Sequence, residues 1–155
     1  MAWQLSSPAF ADGHPIPAVY TCEGRDVSPP LRWSDPPAGT MSVALISDDP
    51  DAPGKTWVHW VLYNLPDDVR TLPEAMAPDA QLPDGARQGR TDFGRTGYGG
   101  PCPPSGTHRY VFKLYALDRM LELLPSVTKA QLEAAMHGHV LAQTQLIGTY
   151  RRAGR

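Results

Sequence analysis

Two short segments of the sequence carry histidine and aromatic side chains at alternating positions. His108 and Tyr110 are two residues apart, and so are Trp57 and His59. Residues i and i+2 of a β-strand point to the same face, so each pair shares one face of its strand. If the two strands are neighbours with these faces aligned, two imidazoles and one phenol converge at one place.

An aspartate and a proline-rich run complete this candidate site. Asp49 ends the preceding hydrophobic segment, where Pro50 restricts its backbone to extended geometry. The run Gly-Gly-Pro-Cys-Pro-Pro at residues 99–104 leads into the segment of His108 and is expected to form the rim. Imidazole, phenol and backbone N–H groups are donors, whereas phosphate offers acceptors, so the pattern predicts a pocket for a small anion. A carboxylate beside a histidine holds its tautomer and favours its charged form.

Spacing alone leaves other interpretations of these side chains open. His59 can be a core histidine bonded to a backbone carbonyl, and His108 can be a surface residue of its strand. Two histidines with Asp49 also resemble a facial triad for a divalent ion. No closely spaced ligand pair supports that triad, so we expect no metal. Cys102 is the one candidate nucleophile near His108, and we expect it to pack rather than react.

Sequence motifs typical of common enzymes are absent. The chain contains no G-x-S-x-G, H-E-x-x-H, P-loop or G-x-G-x-x-G pattern. An EF-hand counted from Asp49 places Gly54 at position 6 but Trp60 at position 12, where calcium binding needs glutamate. We therefore expect a binding protein with no catalytic residues and no cofactor.

Composition limits the fold that presents these residues. The 155 residues include 17 prolines and 14 glycines, and this proline content is about twice the usual ~5%. Proline interrupts helix interiors, which makes a helical bundle unfavourable. Hydrophobic residues are 41% of the chain, too many for a disordered protein. Length and composition thus predict a single domain over residues 1–155, loop-rich and all-β (mainly β) in class.

Four segments are candidates for the strands of this domain. The clearest are residues 41–47, 57–64 and 108–117, which are rich in β-branched and aromatic side chains. Residues 140–150 alternate less cleanly and are a candidate closing strand. Between the second and third strands, residues 65–104 are irregular, and a loop of this length in a compact domain is usually functional or disordered.

One short helix is expected near the C-terminus. Thr128 can cap its N-terminus, with Gln131 three residues later as the partner of a capping box. Gly138 is placed to end it in the left-handed conformation that glycine favours. His137 and His139 flank this end, where capping and compensation of the helix dipole are their expected roles rather than metal binding.

Charge and terminal features exclude further classes of function. Lys and Arg number 14 against 16 Asp and Glu, a formal charge of −2, so no basic excess exists to bind nucleic acid. No segment approaches the ~20 apolar residues of a membrane span. Residues 1–8 lack the pattern of a secretory signal, so we expect a cytoplasmic protein, or a periplasmic one if a signal has been removed. Cys22 and Cys102 are expected to be thiols in a reducing cytoplasm, and a secreted chain leaves their pairing open.

Three sequence blocks follow one another in an order that is typical of one protein family. They are DPDAP at residues 49–53, the pair His59-Trp60, and GGPCPP at residues 99–104 followed by HRY at 108–110. Together they resemble the phosphatidylethanolamine-binding proteins, most closely the bacterial branch called Raf-kinase-inhibitor-like. The resemblance extends from about residue 5 to residue 150, nearly the whole chain.

The resemblance implies a β-sandwich with a short C-terminal helix and an anion pocket at one end. Seven positions match the pocket lining of the family: Asp49, Trp57, His59, Cys102, Pro104, His108 and Tyr110. The implied ligand bears a phosphate, as a phospholipid head group, a phosphorylated small molecule or a phosphopeptide. Inhibition of a kinase or protease through protein contact is the alternative, and bacterial relatives suggest a homodimer. Membership of a family does not by itself establish function.

Overall fold

The structure, a computed structural model, describes residues 2–153. Within this range the chain forms nine β-strands, one 3₁₀ turn at Ala18–Tyr20 and one α-helix. The elements are β1 (Leu5–Ser6), β2 (His14–Pro15), β3 (Leu31–Trp33), β4 (Ser42–Asp49), β5 (Trp57–Pro66), β6 (Thr71–Leu72), β7 (Arg87–Gln88), β8 (His108–Leu117), α1 (Lys129–Met136) and β9 (Val140–Tyr150).

The strands form two sheets that pack face to face. The larger sheet has the order β2-β9-β8-β4-β5-β7, and the smaller one has the order β1-β3-β6. Pairing in the larger sheet is antiparallel except between β2 and β9, which run parallel. The mainly β class predicted from the composition is confirmed, and so is the single short helix predicted from its capping residues.

Each face of the larger sheet is covered by its own hydrophobic core. On one face the small sheet contributes Leu31 and Trp33, which join a cluster with Trp60 and Phe112 of the large sheet. On the other face α1 and the loop before it bury a second, smaller cluster. This two-sided burial explains why β4 is buried along its whole length and carries an uninterrupted hydrophobic run, a pattern expected for a sheet covered on both faces.

The predicted elements occur with small shifts of their ends. The segments 41–47, 57–64 and 108–117 form β4, β5 and β8, and the closing strand at 140–150 is β9. β8 and β9 have the predicted bounds, whereas β4 begins one residue later and both β4 and β5 end two residues later than predicted. The central strands β4, β5 and β8 are identifiable because their β-branched and aromatic composition is typical of strands buried on both faces, whereas β9 is mostly exposed or half-buried.

The helix has the predicted capping box. The side chain of Thr128 accepts a hydrogen bond from the backbone N–H of Gln131 at 3.2 Å, and the Gln131 side chain accepts one from the Thr128 N–H at 2.9 Å. Gly138 has a φ of +81° directly after the helix, as its position predicted. The backbone N–H groups of His137 and His139 donate to the Glu133 and Met136 carbonyls at the end of the helix, at 3.2 and 2.9 Å, whereas the His139 side chain contacts the Asp118 carboxylate at 2.9 Å.

One topological expectation is wrong. Convergence of the two histidines was predicted on the condition that β5 and β8 are neighbours, but β4 lies between them and pairs antiparallel with both. Since neighbouring strands are ~4.8 Å apart, the two histidine-bearing strands are separated by ~10 Å. Pairing of strands distant in sequence depends on tertiary packing, which strand periodicity does not encode.

The expectation that Cys22 and Cys102 are thiols is also wrong. The two cysteines form a disulfide across 80 positions of sequence. The segment after the 3₁₀ turn lies against the proline-rich run, where the Cys22 N–H donates a hydrogen bond to the Pro101 carbonyl at 3.1 Å. This long-range contact is what brings the two sulfurs together.

No helix within residues 2–153 has the length and apolarity needed to cross a bilayer.

Candidate functional site

One cavity of about 300 Å³ brings together all seven residues predicted from the sequence. Asp49, Trp57, His59, Cys102, Pro104, His108 and Tyr110 all line it, and four further residues, Ala52, Pro53, Phe93 and Pro103, complete the wall. The convergence requires no direct pairing of β5 with β8. Their part in binding remains a prediction at this point.

The antiparallel order of the sheet explains why these residues meet. β4 ends at Asp49, directly beside the first residue of β5, with which Asp49 is paired in register. β8 also begins at this edge of the sheet, so His108 lies close to the end of β4. The cavity therefore lies where one strand ends and its two neighbours begin.

A β-bulge places His59 in the cavity. Ser47 pairs with Trp60 and Asp48 pairs with Val58, so His59 is the extra residue on β5 without a partner of its own. A bulge breaks the strict alternation of side chains and occurs often beside functional sites. His59 can therefore point into the cavity while the next residue, Trp60, packs into the core on the same side of the sheet.

Asp49 and His108 form a buried pair. The Nδ1 of His108 donates a hydrogen bond to Oδ2 of Asp49 at 2.7 Å, and the two residues are 7% and 3% exposed. The second carboxylate oxygen accepts a hydrogen bond from the Asp51 N–H at 2.7 Å. With both oxygens engaged, the carboxylate holds the imidazole in one orientation and leaves Nε2 of His108 for other contacts.

His59 is held in a similar way by the backbone of the rim. Its Nδ1 donates to the Gly99 carbonyl at 2.6 Å, and the Gly99 N–H donates to the His59 carbonyl at 2.9 Å. A carbonyl can only accept, so Nδ1 carries the proton of the neutral ring and Nε2 carries the lone pair. Burial lowers the pKa of His59, and the hydrogen bond to Gly99 and the nearby carboxylates, Asp49 first, oppose that shift in part.

The Tyr110 hydroxyl is buried without a hydrogen-bond partner among the residues that the structure describes. The side chain is 1% exposed and lines the cavity. Its ring lies edge-on to His59, with centroids 5.2 Å apart, and parallel to His108 at 6.4 Å. Burial raises the pKa of Tyr110 well above its usual range, and the negative charges of Asp49 and Asp51 and a side-chain interaction with the Asp49 carboxylate add to this effect. Asp49 is therefore the acceptor close to the hydroxyl, although the two do not form a full hydrogen bond. The hydroxyl therefore stays protonated and available as a donor.

Phe93 is the main wall residue that the sequence argument did not select. Its ring contacts Trp57 edge-to-face at 5.7 Å and His59 at 5.3 Å. The guanidinium carbon of Arg95 lies 5.0 Å from the Phe93 ring, and Lys55 Nζ lies 5.9 Å from the Trp57 ring. In the sequence, Phe93 is the middle residue of an Asp-Phe-Gly triplet at residues 92–94, shortly before the rim, and this triplet is the one sequence feature that could have indicated it. One side of the cavity is thus aromatic, with cations on its outer side.

The rim loop, residues 99–104, is tied to three other parts of the chain. The disulfide joins Cys102 to Cys22, and the Gly100 N–H donates to Oδ1 of Asp26 at 2.7 Å. Arg152 Nε donates to the Pro103 carbonyl at 2.8 Å. The two glycines permit this packing, because a Cβ on Gly99 would lie 2.4 Å from the Phe93 ring and one on Gly100 would lie 2.3 Å from the Tyr20 carbonyl oxygen.

Asp48 points to the opposite face of the sheet from Asp49. Its Oδ2 accepts hydrogen bonds from Lys113 at 3.0 Å and Lys129 at 2.7 Å, and these contacts join β4, β8 and the start of α1. Its Oδ1 is buried without a partner among the described residues. Asp48 therefore belongs to the contact between helix and sheet and not to the cavity.

Comparison with known proteins adds an independent line of evidence. The family model described as phosphatidylethanolamine-binding protein matches residues 6–151. A UPF0098 protein of Methanothermobacter thermautotrophicus is 53% identical over 148 residues, which cover 96% of this chain and 98% of that protein. A UPF0098 protein of Aquifex aeolicus is 48% identical, with 96% and 88% covered.

Two solved structures resemble the fold closely. A phosphatidylethanolamine-binding protein homologue, CT736 of Chlamydia trachomatis, superposes with a TM-score of 0.90 at 45% identity, with 97% and 98% of the chains covered. Escherichia coli YBCL, described as a member of the mammalian family of these proteins, has a TM-score of 0.90 at 35% identity. The match covers 98% of this chain and 99% of YBCL.

Proposed function

This chain belongs to the phosphatidylethanolamine-binding protein family, and we propose that it binds a small phosphate-bearing anion in the cavity between the ends of β4, β5 and β8. Membership of the family supports binding as the general function. The finer assignment, a phosphate held by His59, His108 and Tyr110 with Asp49 as the orienting carboxylate, rests on the chemistry of the cavity.

The observation that carries this proposal is the buried, unpartnered hydroxyl of Tyr110. A buried polar group without a partner costs ~1–3 kcal/mol, and a ligand oxygen in the cavity would remove that cost. The Nε2 atoms of His59 and His108 also have no hydrogen-bond partner among the described residues, because each ring is held through Nδ1. A ligand with several oxygens on one centre can contact all three groups.

The size of the cavity is consistent with a phosphate and a short organic substituent. A volume of about 300 Å³ lies at the lower end of the range for small-molecule sites. The aromatic side formed by Trp57 and Phe93 suits the organic part of the ligand. A phospholipid head group, a phosphorylated metabolite and a phosphorylated peptide share this chemistry.

Calorimetric titration tests the proposal with matched variants. Inorganic phosphate, phosphoethanolamine, a phosphotyrosine peptide and vesicles containing phosphatidylethanolamine are each added to the wild type and to Tyr110→Phe. We expect a loss of affinity of about tenfold in Tyr110→Phe, since one hydrogen bond to an anion contributes ~1.5 kcal/mol. The ligand that binds most tightly identifies the source of the phosphate.

Tyr115→Phe is the control for this titration. Tyr115 is on the same strand but packs in the core beneath α1, so its hydroxyl lies outside the cavity. We expect wild-type affinity in this variant. Equal affinity in the wild type and Tyr110→Phe would exclude the cavity as the phosphate site.

The proposal is one of non-enzymatic binding. Cys102, the one candidate nucleophile, is bonded to Cys22 and has no thiolate to offer. Inhibition of a kinase or protease remains a prediction that rests on the resemblance alone. A stable disulfide is typical of an oxidising compartment, so it supports the periplasmic alternative over the cytoplasmic location expected from residues 1–8.

A further inference from the structure

The cavity does not offer donors alone. The proton of neutral His59 is on Nδ1 and is committed to the Gly99 carbonyl, so Nε2 is an acceptor. His108 donates through Nδ1 to Asp49, and its Nε2 is likewise an acceptor whenever the ring is neutral. Tyr110 supplies the one hydroxyl donor among these three side chains. The site therefore combines a fixed donor with nitrogen lone pairs.

This pattern conflicts with a fully deprotonated phosphate. All oxygens of such a group are acceptors, so each contact with an Nε2 lone pair is repulsive unless a proton lies between the two atoms. A phosphomonoester monoanion carries a P–OH group and brings that proton with it. A phosphodiester carries no P–OH group, so a contact with Nε2 requires a protonated imidazole.

We propose that the cavity selects phosphomonoesters over phosphodiesters, and that the bound phosphate is the monoanion, with its P–OH donating to Nε2 of His59 and a second oxygen accepting from Tyr110. This assignment rests on the proposed function and specifies its ligand class. It separates a phosphorylated metabolite or peptide from an intact phospholipid, whose phosphate is a diester.

The surroundings of His59 indicate that the proton between Nε2 and the phosphate comes from the ligand rather than from the ring. Asp49 and Asp48 of β4 and Asp26 of the loop beneath the rim are the carboxylates acting on the ring. They favour a protonated imidazole, but burial of the ring outweighs them and lowers the pKa of His59. The ring is 4% exposed, so in the ligand-free protein it is neutral at neutral pH and its Nε2 is an acceptor.

Most other charged groups near the cavity have carboxylate or guanidinium partners among the described residues, and Arg152 lies on the rim, where it donates to the Pro103 and Pro104 carbonyls. Asp51 accepts hydrogen bonds from the Arg109 guanidinium at 2.9 and 3.0 Å, and Lys55 contacts Asp92 at 3.2 Å. The Asp49 carboxylate, held by His108, is the negative charge on the cavity wall itself. A dianionic phosphate would therefore face an additional repulsion that a monoanion experiences at half the strength.

Methyl phosphate and dimethyl phosphate test the proposal as a matched pair, since they differ by one methyl group and by the P–OH. Calorimetry with the full chain at pH 6, 7 and 8, in two buffers of different ionisation enthalpy, measures affinity and proton uptake together. The second pKa of a phosphomonoester is ~6, so its monoanion falls from about half to about 1% of the total across this range. We expect the affinity for total methyl phosphate to fall by tens-fold, with uptake of about one proton at pH 8.

Dimethyl phosphate is expected to bind at least tenfold more weakly than methyl phosphate at pH 6. Equal affinity for the two, or binding of methyl phosphate at pH 8 without proton uptake, would overturn the selectivity while leaving phosphate binding intact. Failure of inorganic phosphate, phosphoethanolamine and methyl phosphate to bind at all would instead overturn the proposed function. The two failures are thus distinguishable.

His59→Asn assigns the proton to its position. Asparagine retains a short side-chain N–H for the Gly99 carbonyl but has no atom at the position of Nε2. We expect proton uptake and the preference for the monoester to be lost, with a melting temperature that shows a folded protein. His14→Asn, at an exposed position outside the cavity, is the control. Unchanged proton uptake in folded His59→Asn would refute the assignment to His59, and the wild-type titration remains decisive if this variant does not fold.

Discussion

The acid–base properties of the site are set by what lies against individual rings. His59 and His108 are both held through Nδ1, but one partner is a neutral carbonyl and the other is a carboxylate. Burial lowers the pKa of His59, whereas it raises the pKa of Tyr110, because burial disfavours the charged form of either group. Both residues are therefore neutral near pH 7, and binding depends on hydrogen-bond direction more than on net charge.

The lowered pKa of His59 predicts a pH dependence of stability. The unfolded chain takes up a proton on His59 near pH 6.5, whereas the folded protein resists it to lower pH. The unfolded state therefore binds more protons in this window, and the free energy of unfolding decreases as the pH falls below ~6.5. The slope from this residue cannot exceed ~1.4 kcal/mol per pH unit.

Urea denaturation between pH 7.5 and 5 in buffers without phosphate measures this slope. His59→Asn is expected to show a flatter dependence over the same range, and His14→Asn is expected to follow the wild type. A wild-type stability that rises on acidification from pH 6.5 would contradict the assignment of a neutral buried His59.

At the scale of elements, the rim loop is positioned by tertiary contacts rather than by regular structure. It connects to the rest of the fold through the disulfide, the Asp26 carboxylate and Arg152. Prolines at 101, 103 and 104 restrict its backbone, and this lowers the entropy that a ligand has to remove on binding. Preorganisation of the wall is the physical role of the high proline content at this place.

Loss of the disulfide is expected to weaken both stability and binding. The Cys22→Ser/Cys102→Ser variant should lose about 2–4 kcal/mol of unfolding free energy, because the link closes a loop of 80 residues in the unfolded chain. Its affinity for phosphate should fall several-fold, because Cys102 is part of the cavity wall. Guanidinium denaturation and calorimetry measure the two effects.

The reductant response provides the control for that variant. Dithiothreitol should lower the stability of the wild type to that of the double serine variant and leave the variant unchanged. A wild type that contains two free thiols by thiol titration, or that is insensitive to reductant, would contradict the disulfide.

At the scale of the whole molecule, most of the outer edge of β9 has no neighbouring strand within residues 2–153. β2 pairs with β9 only at Gly148 and Thr149. The backbone N–H of Ile147 donates to Asp12 and its carbonyl accepts from the Gly13 N–H, so both groups point away from β8. Because this orientation alternates along a strand, the N–H and carbonyl groups of Gln145 and Gln143 also point away from β8. Residues 140–150 contain no charged side chain and no proline, the devices that usually protect an exposed edge.

The homodimer expected from the resemblance therefore has an available surface. Two copies can pair antiparallel about Thr144, with Gln143 of each opposite Gln145 of the other, and no like charges meet. Sedimentation of the wild type at micromolar concentration should give twice the chain mass of 16.9 kDa. Gln143→Lys/Gln145→Lys should give the monomer, because the new charges face one another across the two-fold axis.

A charge change elsewhere provides the comparison for this experiment. Gln81→Lys/Leu124→Lys also adds two charges, at exposed positions beside β7 and β5 at the opposite edge of the large sheet from β9, and should remain dimeric. A wild type that sediments at 16.9 kDa, or a Gln143→Lys/Gln145→Lys variant that remains a dimer, would exclude this edge as the interface.

The sequence by itself determined the features that depend on neighbouring residues. The composition of short segments predicted the central strands, the spacing of Thr128 and Gln131 predicted the capping box, and alternation placed His108 and Tyr110 on one face. These features follow from backbone geometry and local hydrogen bonds, which act over a few residues. The resemblance to a family added the expectation of a β-sandwich fold in which these residues line one pocket.

Only the tertiary structure decided how those pieces meet. The position of β4 between β5 and β8, the bulge that turns His59 into the cavity, the approach of Phe93 and the pairing of Cys22 with Cys102 all join residues far apart in sequence. No local pattern encodes such contacts, because they depend on how segments distant in sequence pack against one another. The direction of each hydrogen bond in the cavity, and hence its expected preference for a protonated phosphate, depends on those contacts.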